Sequence, residues 1–242
     1  MITNTPKHLK AVTFSYDDGV TQDIRFVELL NKYGLKCTFN INSGRFGRPG
    51  ELSRESVDGK TLTVRHDCVN EADVRSIYEG HEVAAHTLTH PFLPNIEDDA
   101  EVVRQVEEDR LRLSETVGYE VFGFAYPGGG ENCNDRISEL VRTQTGVKYA
   151  RTIRSSGKFD MTYGDGLFTL SPTAYHRDIP KLYELANAFF DAESDEPMLL
   201  YIWGHTYEFD LDDAWDEFED FLKFISHRDG IFYGTNRDCL GI

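Results

Sequence analysis

Residues 11–19 read AVTFSYDDG, and the reading of this stretch decides the fold. Val12, Thr13, Phe14 and Tyr16 are strand formers, and the run stops abruptly at Asp17, Asp18 and Gly19. Asp-Gly is good turn chemistry. Two adjacent carboxylates nevertheless repel each other, and a strand end is a poor place to leave them unpaired. The pair is therefore either a plain turn or part of a metal or catalytic site, with one carboxylate binding a cation and the other working as a base. The choice depends on whether the remaining chain supplies partners.

Working outward, residues 22–33 place Ile24, Val27, Leu30 and Tyr33 near helical spacing, and Gly34 follows as a cap. KCTFNIN (36–42) reads as a second strand, so the chain opens as a parallel crossover does. Residues 97–117 give the clearest helix. Val102, Val103, Val106, Leu113 and Val117 form its apolar stripe, and its Glu and Arg face reads as solvated. Further strands are predicted at 81–85, 121–126, 147–153, 167–170, 197–205 and 231–233, and helices at 70–78, 135–145, 178–191 and 212–226. Residues 44–68, rich in Gly, Arg and Ser, read as a long loop or insertion. Strands alternating with helices predict one α/β domain over 1–242, a distorted (β/α)7-8 barrel with the loop insertion at 44–68. The dinucleotide and phosphate-loop fingerprints, GxGxxG and GxxxxGK[ST], are absent, which removes the main reasons to prefer an open doubly wound sheet.

The formal net charge of the 242 residues is -17, which argues against a nucleic-acid partner. No segment approaches the roughly 18 apolar residues of a membrane span. Cys37, Cys68, Cys133 and Cys239 are far apart, form no CxxC pair and read as free thiols. The opening MITNTPKHLKAV has no signal-peptide pattern, so the chain reads as soluble and cytoplasmic, or as the processed form of a secreted protein.

In parallel α/β folds, functional groups collect at the carboxyl ends of the strands. Those ends hold Asp17 and Asp18, residues 40–43, His86 and His90, residues 127–130, Arg151 to Arg154, and His205. In His86-Thr87-Leu88-Thr89-His90, two histidines four apart could face one way on a helical turn and bind one cation; otherwise they are surface histidines. Thr87 stands where a zinc peptidase has its glutamate, so a base must come from elsewhere, and a neighbouring strand end offers Asp17 or Asp18. Two imidazoles and one carboxylate suit Zn²⁺ first, and also Co²⁺, Ni²⁺ or Fe²⁺. His205 is either a core histidine or a general acid. The Pro127–Gly130 turn is either a tight loop or a place where a free N–H meets an oxyanion.

With these residues in hand, the chain resembles the polysaccharide deacetylases of carbohydrate esterase family 4, the NodB homology domain. Thr13-Phe14 and Ser15-Tyr16-Asp17-Asp18-Gly19 look like that family's T-F-D-D-G. HTLTH (86–90), preceded by Gly80-His81-Glu82-Val83, matches its H-[ST]-x-x-H, and Trp203-Gly204-His205 resembles its late L-x-H. The resemblance implies a distorted barrel carrying a metal-dependent amide hydrolase. Carried over, Asp17 is the catalytic base, Asp18, His86 and His90 are the metal ligands, and His205 is the catalytic acid. Its R-P-P-[FY]-G motif is partly kept in Phe124-Ala125-Tyr126-Pro127-Gly128-Gly129. Gly128 can supply the oxyanion N–H, but Ala125 stands where the arginine that pairs with the base is expected. Arg151 is the substitute, ahead of Arg154. The implied substrate is an N-acetylated sugar or polysaccharide. The alternatives are a small cyclic imide or ureide cleaved on the same barrel, and a non-catalytic carbohydrate binder, against which the intact residue set counts. Tyr126, Trp203 and Tyr207 are candidates for a sugar-stacking wall, and residues 44–68 for the border of its mouth. Glu208 and Asp210 read as surface charges.

Overall fold

The computed structural model describes residues 8–56, 59–160 and 164–242. The chain begins with β1 (Lys10–Asp18), α1 (Asp23–Lys32) and β2 (Cys37–Ile41). An antiparallel hairpin follows, β3 (Glu51–Glu55) and β4 (Thr61–Arg65). Next come α2 (Val74–Ile77), β5 (Glu82–Ala85), α3 (Asp99–Val117), β6 (Gly123–Ala125), α4 (Asp135–Gln144) and β7 (Tyr149–Arg151). The chain closes with β8 (Ala174–Tyr175), α5 (Ile179–Asp191), β9 (Met198–Gly204), α6 (Tyr207–Asp212), α7 (Trp215–Ile225), β10 (Phe232–Tyr233) and α8 (Asn236–Leu240).

Apart from the hairpin, the strands form one curled sheet of parallel pairs in the order β7-β6-β5-β2-β1-β9-β8. β10 joins the start of β1 at Ala11 and Val12, on the stretch that β2, pairing from Phe14 onward, leaves free. Leu170 bridges Arg151 on β7, and four residues later Ala174 pairs with β9, so a broken strand closes the circle. This is the expected distorted (β/α) barrel.

Alternation along β1 sorts its two faces. Val12, Phe14 and Tyr16 belong to the outer core with Phe26 of α1 and Phe209 and Phe218 of α6 and α7. Burying each such aromatic contributes about 1.5–3 kcal/mol. Thr13, Ser15 and Asp17 face the barrel interior, which is polar in layers. At the bottom, Thr38 and Tyr149 donate to the buried Glu82 carboxylate. Above it, Asn236 of α8 bonds Thr13, Ser15 and Tyr201. At the top, Asn40 and Arg151 reach Ser15 and Asp17. Cys239 and Leu240 of α8 pack with Ala11 and Tyr201 as a floor. All four cysteines are free.

Several elements differ from the sequence reading. Residues 44–68 are not a loop throughout: Leu62 and Val64 alternate with polar residues in TLTVR, and with Leu52 they pack on Val20, Tyr207 and Leu211. The helix predicted at 212–226 is α7, and a separate short helix, α6, precedes it and ends at Asp213 with φ 51. The weak strand expected at 167–170 is instead the end of a 3-10 turn, Gly164–Phe168, followed by the Leu170 bridge. β8 and α8 are too short to announce themselves by periodicity.

Gly19 fixes the turn that follows the two carboxylates. Its φ is +65, and an added Cβ would lie 2.7 Å from Cγ2 of the buried Ile41. Gly19→Ala is expected to destabilise the fold by about 1–3 kcal/mol through strain and overpacking, read as a lower denaturation midpoint.

Candidate active site

Strict alternation would point Asp18 away from the barrel when Asp17 points in. Asp18 instead adopts φ 81, which turns its carboxylate onto the same mouth. Thr87 and His90 are also left-handed, at φ 71 and 62. The HTLTH segment is thus a loop after β5, not the helical turn anticipated, and it brings the His86 and His90 rings to 4.9 Å. α3 holds that loop with polar residues set in and beside its apolar stripe. Asp109, fully buried, accepts from the backbone N–H of His86 and from both the N–H and hydroxyl of Ser43. Burial pushes its carboxyl up to about 7 despite these bonds. Gln105 accepts from the N–H and hydroxyl of Thr89, and Asn42 donates to the carbonyls of His86 and Thr87.

One ligand atom each from Asp18, His86 and His90 lies within 4.8 Å of the others. Asp18 Oδ1 is 3.7 Å from His86 Nε2 and 3.3 Å from His90 Nε2, close to the edge of about 3.3 Å expected of a tetrahedron with ~2 Å bonds. His86 Nδ1 donates to the Ala125 carbonyl at 2.7 Å, so its Nε2 is left with a lone pair toward Asp18. Burial holds His86 down to about 4, which keeps that ring neutral. Asp18 Oδ1 is buried without a hydrogen-bond partner. An orphaned carboxylate oxygen beside the His86 lone pair and the His90 ring nitrogen fits a divalent cation.

His66, at the foot of the hairpin, bonds the other Asp18 oxygen at 3.1 Å. Burial alone would raise the Asp18 carboxyl, but the His66 hydrogen bond and then His205, His90 and His86 hold it well below the usual carboxylate range. His66 is absent from the residues expected at the site because 44–68 reads as a loop; the alternation in TLTVR, read as a strand, marks the histidine at its end.

Asp17 is paired with Arg151 of β7, which is fully buried and also donates to Ser15; Asn40 bonds the same Asp17 oxygen at 2.8 Å. Arg151 thus reaches Asp17 from the strand beside Ala125, while Arg154 is exposed and lines a separate polar depression. His205 Nδ1 bonds Glu208 Oε2 at 3.1 Å. Glu208 is buried, not a surface charge, and also accepts from Tyr175 and from His176 Nε2, whose Nδ1 takes the Tyr16 hydroxyl proton at 2.8 Å. Burial would lower His205, but the Glu208 hydrogen bond and charge, with Asp18 and Asp17, raise it to about 9. Burial holds His176 neutral, below its ordinary value. The spacing of three between His205 and Glu208 was the available signal; nothing local marked His176. Asp210 is exposed, as expected, and accepts from Gln22 and Trp215.

These groups line one cavity of about 670 Å³. Tyr126, Trp203 and Tyr207 form its aromatic wall as anticipated, with Tyr175 added, and the hairpin borders it through Leu52 and His66. Gly128 lines it at φ 89, and its N–H takes no partner among the described residues.

Fold and site together define a metal-dependent hydrolase on a distorted (β/α) barrel. Residues 4–150 match the family model for polysaccharide deacetylase, and the chain belongs to that family. The family and the Asp18–His86–His90 triad make it a metal-dependent deacetylase of the carbon–nitrogen bond in N-acetylated sugars. None of the curated proteins matches it in sequence. Among solved structures, it is similar to a probable polysaccharide deacetylase from Pseudomonas aeruginosa PAO1, at 12% identity over 97% of this chain and 90% of that one, with a TM-score of 0.70. It is also similar to Puue allantoinase, at 12% identity, 97% and 90% coverage and a TM-score of 0.69. The Streptococcus pyogenes deacetylase PplD aligns at 18% identity and a TM-score of 0.50 over 65% of this chain, which spans 61% of that one. At these identities the likeness is one of fold. No helix among the described residues is long and apolar enough to cross a membrane.

His86→Ala is expected to abolish metal binding. His66→Ala, which frees one oxygen of a ligand without removing a ligand, should weaken it by about 10–100-fold in a chelator-competition titration.

Proposed function

We propose that this deacetylase acts on a compact substrate, a single N-acetylated sugar or a short oligosaccharide, with Asp17 as base, His205 as acid and Gly128 as oxyanion donor. The observation that carries this is the convergence of Asp17, His205 and Gly128 with the triad on a cavity of small-molecule size, walled by the hairpin and by aromatic rings. Asp18, His86 and His90 would hold the cation, and zinc suits their donor set best. A divalent cation held there supplies Lewis acidity toward water and the amide carbonyl.

The protein groups divide the proton work. Asp17, with one oxygen held by Arg151 and Asn40, takes the proton of the attacking water on its carboxylate. The pairing fixes the orientation of the carboxylate. The free N–H of Gly128 donates to the developing oxyanion. His205 Nδ1–H is fixed on Glu208, which leaves Nε2–H to protonate the departing amine. Tyr16 and His176 hold Glu208 from behind through a chain in which every donor has an acceptor. The compact cavity also admits a small cyclic imide or ureide, cleaved by the same groups.

The test is acetate release from N-acetylglucosamine and its oligomers by the metal-loaded protein, beside ring opening of a cyclic imide and of allantoin. Acetate release lost on chelation and restored by Zn²⁺ supports the reading; ring opening without acetate release replaces it with the second. Asp17→Asn should retain the metal and lose turnover by about 10²–10⁴-fold. Near-normal turnover would remove Asp17 from the role of base.

Because His205 must be protonated to act, activity should fall as pH rises through its pKa, which Glu208 lifts to about 9. Glu208→Gln removes the group that lifts it, so the alkaline limb of the kcat/KM profile should move to lower pH.

A further inference from the structure

Arg45 stands apart from most arginines of this chain. Arg54 is held by Asp212, Arg104 by Glu101, Arg112 by Glu71 and Arg151 by Asp17. Arg45, just after β2 and Gly44, is half-buried on the wall of the active-site cavity. Its guanidinium takes no hydrogen bond and no ion pair among the described residues. In a chain of net charge -17 this is not for want of carboxylates. The buried ones around the cavity turn to other groups: Asp17 to Arg151 and Asn40, Asp18 to His66 and the triad, Glu208 to His176 and His205. Glu51, which lines the same cavity, forms no pair with it. A guanidinium on the cavity wall with no protein acceptor keeps its N–H donors available to a ligand.

We infer that Arg45 forms an anion subsite, and that the preferred substrate is an N-acetylated sugar acid whose carboxylate occupies it. The planar fork of arginine suits a carboxylate through two parallel N–H···O bonds, which a neutral hydroxyl cannot reproduce. The placement suits the chemistry. Arg45 shares the hairpin-side wall with His66 and Tyr207, whereas Gly128 and Tyr126 come from the β6 side. A substrate with its amide at the triad can therefore extend a second polar group toward Arg45. The partly withdrawn site strengthens that attraction relative to water. The inference rests on the deacetylase reading for the reaction, though not for the binding.

The experiment compares three probes on the zinc-loaded protein: N-acetylglucosamine, its uronic acid and its 3-O-carboxymethyl ether. Wild type is expected to favour one of the two acids over the neutral sugar by about tenfold or more in kcat/KM, mainly through KM. Raising NaCl to about 0.5 M should reduce that ratio. Arg45→Gln should bring the ratio to about one, and Arg45→Lys should keep part of it. Because the readout is a ratio within each variant, a loss of folded protein does not imitate the effect. A ratio near one for both acids in the wild type, or a ratio that Arg45→Gln leaves unmoved, overturns the subsite. If no probe releases acetate, the proposed reaction fails, and calorimetric binding of the same probes decides the subsite separately. Tighter binding of an acid that Arg45→Gln removes sustains it, and equal binding of all three overturns it.

Discussion

Two carboxylates on successive residues of one strand must serve one site, and the rest of the structure is arranged around that constraint. A regular strand would send them to opposite faces of the sheet. Asp17 keeps the inward direction and is held by Arg151 across the barrel interior, while Asp18 departs from strand geometry at φ 81 and turns to the triad. Each carboxylate thereby gains its own positive environment, and their mutual repulsion is offset on both sides. The backbone strain is kept in place because Gly19 can adopt φ +65 against Ile41 and because Val69 donates to the Gly19 carbonyl.

The polar barrel interior serves the same end. A barrel filled with Val and Leu would offer nothing to orient Arg151, whereas here Ser15 and Asn40 bind both members of the ion pair or their neighbours. A buried ion pair of this kind is poor evidence of stability in itself, since removing two charges from water costs several kcal/mol per ion. Its value lies in fixing the position of Asp17. The outer shell, where Phe26, Phe209 and Phe218 pack beneath Tyr16, supplies the apolar burial that lets the interior remain polar. Tyr16 joins the two regions: its ring belongs to the outer core and its hydroxyl to the chain that runs through His176 and Glu208 to His205.

Legibility in the sequence followed the range of the interactions. The strand ends at Asp17, His86 and His205 were readable because alternation, glycine punctuation and motif order are local. Arg151 could be named as a substitute for the arginine missing at Ala125 because it too ends a strand, though which arginine reached Asp17 depended on strand order. His66 was hidden because the short hairpin between Gly- and Arg-rich turns resembled a loop. Asp109 was hidden because it is an acid inside the apolar stripe of α3, between Val106 and Leu113, where only its distant partners Ser43 and His86 explain it.

The sequence by itself determined the alternation of strands and helices, the chemistry gathered at the strand ends and the family to which those motifs belong. All of these are carried by residues within a few positions of one another. Only the tertiary structure decided which charges meet. Arg151 and Asp17 are 134 residues apart, His66 and Asp18 are 48 apart, and Tyr16 and His176 are 160 apart. Such pairings are set by strand order and barrel closure, which bring distant side chains to one mouth, and no local spacing encodes them. The same holds for Arg45, whose lack of a partner among the described residues is visible only when the carboxylates around the cavity have been placed.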